Sequence, residues 1–220
     1  MKQDEKQPFI KRLSHKFRKR AKRFFEDISP SKRRIKKQWM TFDGIVFLFR
    51  LGIRSNDTVV DFGCGQGAYS IPASLLVGEE GRVFAVDRNP NILSKLKRAA
   101  DRTGAKSITT LIGQDELIAK LNGSVCDFLL VFDVLHFFDV PERVALYDMA
   151  RRILKPDGFL LIHPKHLKDD GMPSGHFVDM TAEDLVNELV SVGFVLEENK
   201  ETMLWHDSDQ EPGRVLKFRV

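Results

Sequence analysis

The chain has 220 residues, of which 42% are hydrophobic and 30% charged, which suits one globular domain with an extension and excludes wholesale disorder. The formal net charge of +4 conceals an asymmetry, because residues 1–38 carry +11 and the remainder −7, so a mildly acidic body bears a basic arm. Two cysteines are too few for a disulfide scaffold or a four-cysteine zinc site; no apolar run reaches the roughly 18 residues of a membrane span, and the charged start argues against a secretory signal, so a reducing, cytoplasmic setting is expected.

In the arm, Phe9, Ile10, Leu13, Phe17, Ala21, Phe24, Phe25 and Ile28 recur at steps of three and four, with Lys and Arg between them. That spacing predicts an amphipathic helix from Pro8 to about Ile28, broken at Ser29-Pro30. Three uses compete. The helix packs its Phe stripe on the body, lies on an anionic membrane surface, or neutralises RNA phosphates. Residues 1–40 are read as this basic helical extension and 41–220 as the catalytic body. The Phe-rich arm and the apolar run Ile45-Val46-Phe47-Leu48-Phe49 favour a lipophilic, membrane-proximal acceptor.

Asp57 to Phe62 reads as a short buried strand, followed by Gly63-Cys64-Gly65-Gln66-Gly67-Ala68 and an apolar helix, Tyr69 to Val77. Strand, glycine loop and helix make a binding turn of nucleotide type, since glycine permits unusual φ and lets a ligand approach the backbone. A second strand, Arg82 to Val86, ends in Asp87, placed to bind the hydroxyls of a ribose. A third, Ser107 to Ile112, precedes Gly113-Gln114-Asp115. A fourth starts at Cys126 and runs to Asp133, and Arg151-Arg152-Ile153-Leu154-Lys155-Pro156-Asp157-Gly158 turns into a fifth. Phe194–Asn199 and Arg214–Val220 offer two more. Apolar strands alternating with helical segments imply an α/β fold, a parallel sheet covered by helices on both faces.

Gly63, Gly65 and Ala68 fit the dinucleotide pattern G-x-G-x-x-A, which leaves an NAD-dependent oxidoreductase as a minor alternative. Asp61, Gly63, Gly65 and Gly67 fit D-x-G-x-G-x-G, and this resembles motif I of the class I S-adenosylmethionine (SAM)-dependent methyltransferases. Val83–Pro90, Gly113-Gln114-Asp115, Cys126–His136 and Arg151–Ile162 resemble that family's later motifs in the right order over residues 57–200. Asp157 departs from the pattern, standing where the family usually has a second glycine. Within the family the chain looks most like small bacterial and archaeal members grouped with quinone-biosynthesis methyltransferases.

The resemblance implies a Rossmann-like, seven-stranded, mostly parallel sheet with an antiparallel last strand, and SAM as cofactor. It implies cofactor contacts from Asp61, Gly63, Cys64, Gly65 and Gly67 around the loop, from Asp87 and Arg88 after the second strand, and from Gln114, Asp115 and Asp133 after the third and fourth. Asp61 orients the loop or the methionine amino group, or caps the following turn. Asp115 contacts the adenine or caps a helix starting at Glu116, with Gln114 as the alternative contact. Cys64 reads as a small side chain packed under the loop and Cys126 as core. His136, past the fourth strand on the acceptor side, is the first candidate for a catalytic role, and His176, in the Gly/Pro-rich loop after the fifth strand, the second. A metal site from His136, His163, His166 and Asp133 is disfavoured for want of tight ligand spacing, so no metal is expected.

The expected reaction moves a methyl group from SAM to a small or lipophilic acceptor. An RNA methyltransferase using the basic arm, or a non-catalytic SAM-binding protein, are the alternatives. The N/D-P-P-[FYW] motif of base-amino methylation is absent, since the fourth strand ends Phe132-Asp133-Val134-Leu135.

Overall fold

Alternation along each strand sets the two layers. In the computed structural model, which describes residues 32–220 apart from Asn122, Ser124 and Ser208, Val60, Phe62, Phe84, Val86, Leu129 and Val131 point to one face of a sheet. Val59, Val83, Ala85, Phe128, Leu130 and Phe132 point to the other. Both faces are apolar because both are covered by helices. The predicted arm helix, Pro8 to Ile28, lies outside the described residues.

Chain order gives helix α1 (Lys32–Gln38), a π-helical turn (Trp39–Asp43), α2 (Gly44–Leu51), β1 (Thr58–Phe62), α3 (Ser70–Val77), β2 (Arg82–Asp87), α4 (Pro90–Thr103) and β3 (Ile108–Ile112). Then come α5 (Gly113–Lys120), β4 (Cys126–Phe132), α6 (Val140–Ile153), β5 (Leu154–His163), α7 (Ala182–Ser191), β6 (Val195–His206) and β7 (Asp209–Arg219). The sheet order is β3-β2-β1-β4-β5-β7-β6, with only β7 antiparallel to its neighbours. The dinucleotide fold runs 3-2-1-4-5-6; here an antiparallel strand stands between the fifth and the sixth, which removes the oxidoreductase alternative at the level of fold.

Local chemistry sets the boundaries. Asn89 accepts from the Asn91 amide to cap α4, and Pro90 sits at its first position. Asp139 with Glu142, and Thr181 with Asp184, form capping boxes at α6 and α7. The expected turn into the fifth strand is a bulge, in which pairing with β4 passes from Cys126–Leu154 to Phe128–Phe159. Gly158 is required there, since a Cβ would come 2.8 Å from the Cys126 carbonyl oxygen, whereas the departing Asp157 is exposed.

Two expectations change. The charge boundary near residue 40 cuts through the core, because Trp39 and Met40 are buried and Trp39 Nε1 donates to the Ala68 carbonyl at 2.8 Å. The final strands are far longer than Phe194–Asn199 and Arg214–Val220. They form one hairpin that pairs with β5 only as far as Leu216–Ile162 and continues past the end of β5 to the His206–Asp209 pair.

The overhanging tip is anchored rather than free. The buried Tyr69 hydroxyl donates to the Trp205 carbonyl at 2.7 Å and accepts from the Trp205 amide at 3.0 Å. Trp205, Tyr69 and Phe47 all pack around Trp39, with ring centroids at 6.0, 5.7 and 5.6 Å. Tyr69→Phe removes two buried hydrogen bonds while keeping the ring. It is expected to cost about 2–3 kcal/mol, read as a lower urea midpoint with an unchanged slope.

Candidate active site

β1–β5 are parallel, so their carboxyl ends share one edge, and the loops leaving that edge carry the chemistry-bearing residues. At β1 the loop turns on three left-handed glycines, Gly63 (φ +77°), Gly65 (φ +51°) and Gly67 (φ +86°). A Cβ on Gly63 would lie 2.7 Å from Val134 and one on Gly67 2.9 Å from Leu96, so both are held by packing. Around Gly65 nothing lies within 4 Å of such a Cβ, so its backbone faces open space. That is a cradle for a ligand rather than a packed turn.

Two carboxylates hold the loop. Asp87 spans it to β2, accepting from Gly65 N at 3.1 Å and Asn89 N at 2.9 Å. Asp61 is 2% exposed and accepts from Ser70 Oγ, at the start of α3, at 2.5 Å. Burial raises its pKa to about 6, against the Ser70 hydrogen bonds that lower it. The buried Cys64 packs beneath the loop with its thiol pKa pushed far up by burial, so it is inert; Cys126 is likewise buried core. Arg88 is exposed beside Asp87.

After β3 the expectation for Asp115 changes. The helix starts at Gly113, so Asp115 is exposed within its first turn, and it is Glu116 that accepts the Ile112 amide, at 2.6 Å. Gln114 turns its amide toward the Ala145 carbonyl of α6 at 3.5 Å, away from the glycine loop.

The rest of this edge is built from the loops after β4 and β5 and from the hairpin tip. Asp133 is left-handed at φ +56°, and the next residue, Val134, packs against Gly63. His136 follows in a 3₁₀ turn, Leu135–Phe137. It is buried, its Nδ1 lies 3.6 Å from Asp133 Oδ1, and burial and the neighbouring His166 and His206 lower its pKa to about 4. His176 is exposed in a second 3₁₀ turn, Gly175–Phe177, which packs on the first. Gly175 is indispensable to that approach, since a Cβ would overlap the His136 carbonyl oxygen. Arg143 fixes these loops from below, donating to the Phe138 carbonyl and, through two nitrogens, to Glu188 at 2.8 and 2.6 Å.

Of the four residues weighed as a metal set, His163 turns away. His163 ends β5 and turns inward, its Nδ1 2.8 Å from the Arg214 carbonyl oxygen. His166, three residues on and left-handed at φ +68°, turns outward, and its Nε2 lies 3.7 Å from Asp133 Oδ1. His206, at the hairpin tip, brings Nε2 to 3.2 Å from Asp133 Oδ2. Asp133, His166 and His206 thus present ligand-type atoms within 4.8 Å of one another, against the expectation of no such cluster. Sequence reasoning passed over His206 because its nearness to Asp133 depends on hairpin length. The one available signal was the apolar run Met203-Leu204-Trp205, which extends the strand.

Asp61 carries a pH signature. Its folded-state pKa lies above the ordinary 3.8, so its charge is neutral in effect below about pH 4 and a penalty once pH has risen through 6. Asp61→Asn is therefore expected to gain on the order of 2 kcal/mol in stability relative to wild type at pH 7.5, with no comparable gain at pH 4, measured by urea unfolding at both.

Residues 59–158 match a family model described as a methyltransferase domain. A probable cobalt-precorrin-6B C(15)-methyltransferase (decarboxylating) of Saccharolobus solfataricus is 38% identical over 65 residues, covering 30% of this chain and 33% of the relative. A probable methyltransferase of Aspergillus luteorubrus is 30% identical over 60% of this chain and 53% of its own length. The chain thus spans about a third to a half of these curated relatives, and neither carries a quinone-biosynthesis name. A SAM-dependent methyltransferase from Aquifex aeolicus superposes with a TM-score of 0.65 at 22% identity, over 87% of this chain and all of that one, which shows the fold. The match begins within β1 and ends in the bulge of β5, so it takes in the glycine loop and Asp87, and over this stretch the chain is similar to the methyltransferase-domain family.

Proposed function

We propose that the protein transfers a methyl group from SAM to a small apolar acceptor held against the loops after β4 and β5. The observation that carries the donor is the loop itself, where an outward-facing left-handed Gly65 lies within hydrogen-bond reach of Asp87. SAM, when bound, supplies a methyl on a sulfonium whose leaving group is a neutral thioether, so no acid is needed to expel it. The chain's own residues supply position. The Gly63–Gly67 backbone would cradle the amino-acid part, Asp61 would orient it through the loop, and Asp87 would hold the ribose hydroxyls. Holding donor and acceptor in line, with water excluded, is the main source of rate in such a displacement.

The acceptor reading rests on exposed apolar side chains. Phe137 and Val140 follow β4, Met172 and Val178 follow β5, and they are 57%, 56%, 63% and 50% exposed. Large apolar groups on adjoining loops at a site mouth favour an apolar ligand. His136 lies beneath them, its ring centroid 3.9 Å from that of Phe137, which keeps it and His176 as candidates for proton handling. The 65-residue cobalt-precorrin alignment is too short to take in both Gly63 and His166, so it does not carry the acceptor. Among the described residues no helix is long and apolar enough to cross a membrane, and contact with an anionic surface or RNA through residues 1–38 stays a proposal about the arm.

Calorimetry with SAM and with S-adenosylhomocysteine is expected to show one site, and Asp87→Ala to weaken it about 10- to 100-fold through loss of charge-assisted hydrogen bonds. A labelled-methyl assay on cell extract is then expected to put label in the organic-soluble fraction. Label in RNA would transfer the acceptor role to nucleic acid, and binding without label would mark a SAM-binding protein that does not turn over.

A further inference from the structure

We propose that Asp133, His166 and His206 bind a divalent transition-metal ion on the acceptor side of the site. The argument starts from which ring nitrogens carry protons. His206 Nδ1 lies 2.9 Å from Glu211 Oε1, and a carboxylate only accepts, so Nδ1 carries the hydrogen. His166 Nδ1 lies 3.0 Å from the Met172 carbonyl oxygen, and the same holds there. In the neutral rings both Nε2 atoms are then bare lone pairs, and both face the Asp133 carboxylate, at 3.2 and 3.7 Å. Lone pairs converging on a carboxylate repel unless positive charge lies between them. Two protons or one divalent cation would supply it.

The geometry on the His166 side of Asp133 favours the cation. Asp133 Oδ1 is buried with no hydrogen-bond partner, and His136 Nδ1, facing it at 3.6 Å, is buried and equally unpartnered. The His166 separation of 3.7 Å is too long for a hydrogen bond, whereas the His206 separation of 3.2 Å lies at the upper end of that range. The two ligand separations, 3.7 and 3.2 Å, also lie near the edge of a coordination polyhedron, which for metal–nitrogen bonds of about 2.0–2.1 Å is roughly 3.3 Å.

The surroundings have the form that metal histidines require. Each ligating ring is oriented through its other nitrogen, His206 by Glu211 and His166 by a backbone carbonyl, and Glu211 is itself held by Lys165 at 2.6 Å. The backbone is strained at the same place. Of the four left-handed non-glycine residues among those described, Asp133 and His166 are proposed ligands and Asp207 adjoins the third. Two histidines and one carboxylate leave coordination positions open, as catalytic sites do, and suit zinc, iron or cobalt rather than magnesium or calcium.

The role of the ion rests on the methyl-transfer reading above, whereas its binding does not. An acceptor hydroxyl or thiol on an open position would lose its proton to solvent at neutral pH. Its lone pair would then form the bond to the methyl carbon while the carbon–sulfur pair returns to sulfur.

The test uses the full untagged chain, stripped with chelator and titrated with Zn²⁺ by calorimetry and with Co²⁺ by visible absorption, without SAM. One equivalent is expected to bind at micromolar or tighter affinity, with Co²⁺ giving ligand-field bands of a four- or five-coordinate nitrogen/oxygen site. His166→Ala and His206→Ala are each expected to weaken binding at least 100-fold, and Glu211→Gln, which leaves every ligand in place, about 10-fold. Circular dichroism of each metal-free variant, matched to wild type, separates lost ligation from lost folding. Absence of stoichiometric binding to wild type, or equal binding by His206→Ala, overturns the proposal whatever the methyl-transfer assay shows.

Discussion

A single phenol hydroxyl joins the two halves of this site. Tyr69 is the residue that follows the glycine loop and its neighbour Ala68, and Trp205 immediately precedes His206. By giving one hydrogen bond to the Trp205 carbonyl and taking another from its amide, Tyr69 fixes the hairpin tip relative to the loop, in a buried aromatic cluster where neither bond competes with water. Trp39 closes that cluster from the N-terminal side by bonding the Ala68 carbonyl. The glycine loop and the hairpin tip are therefore one packed unit, although more than a hundred residues separate Tyr69 from Trp205 along the chain.

Most of the chemistry follows from strand polarity. Parallel β1–β5 bring Gly63–Gly67, Asp87 and Asp133 to one edge, and burial sets their electrostatics. Asp61 sits wholly inside with its pKa raised to about 6, bonded to Ser70, so it shapes the loop at a cost in stability. His136 and His163 are both driven toward neutrality by burial, to about 4. A stability cost of this kind is common where geometry serves binding.

The sequence was most legible where the determinants are local. The glycine loop, Asp87 at the end of β2, the Asn89-Pro90 start of α4 and the Thr181 cap of α7 are written within a few residues each, and all are found in place. The alternating strands announced a covered parallel sheet. Legibility failed where a role depends on contacts distant in sequence. His163 and His166 lie three residues apart in one segment, and only the pairing of β5 with β7 decides that the first faces Arg214 and the second Asp133. His206 was invisible because charged residues interrupt β6 between Leu196 and Met203, so the alternation that would extend the strand is weak there. Trp39 directly follows the basic stretch that ends at Gln38, yet its large apolar ring is buried in the core.

The placement of β7 also bears on how the protein is made. β5 gains its second neighbour only when residues 209–219 are available, so until then Phe159 to Ile162 form an open, apolar strand edge. Such an edge is a template for pairing with another chain. The growing polypeptide thus passes through a stage in which β3-β2-β1-β4-β5 is complete and sticky along one side, and during synthesis its safety rests on how promptly the closing hairpin emerges and docks.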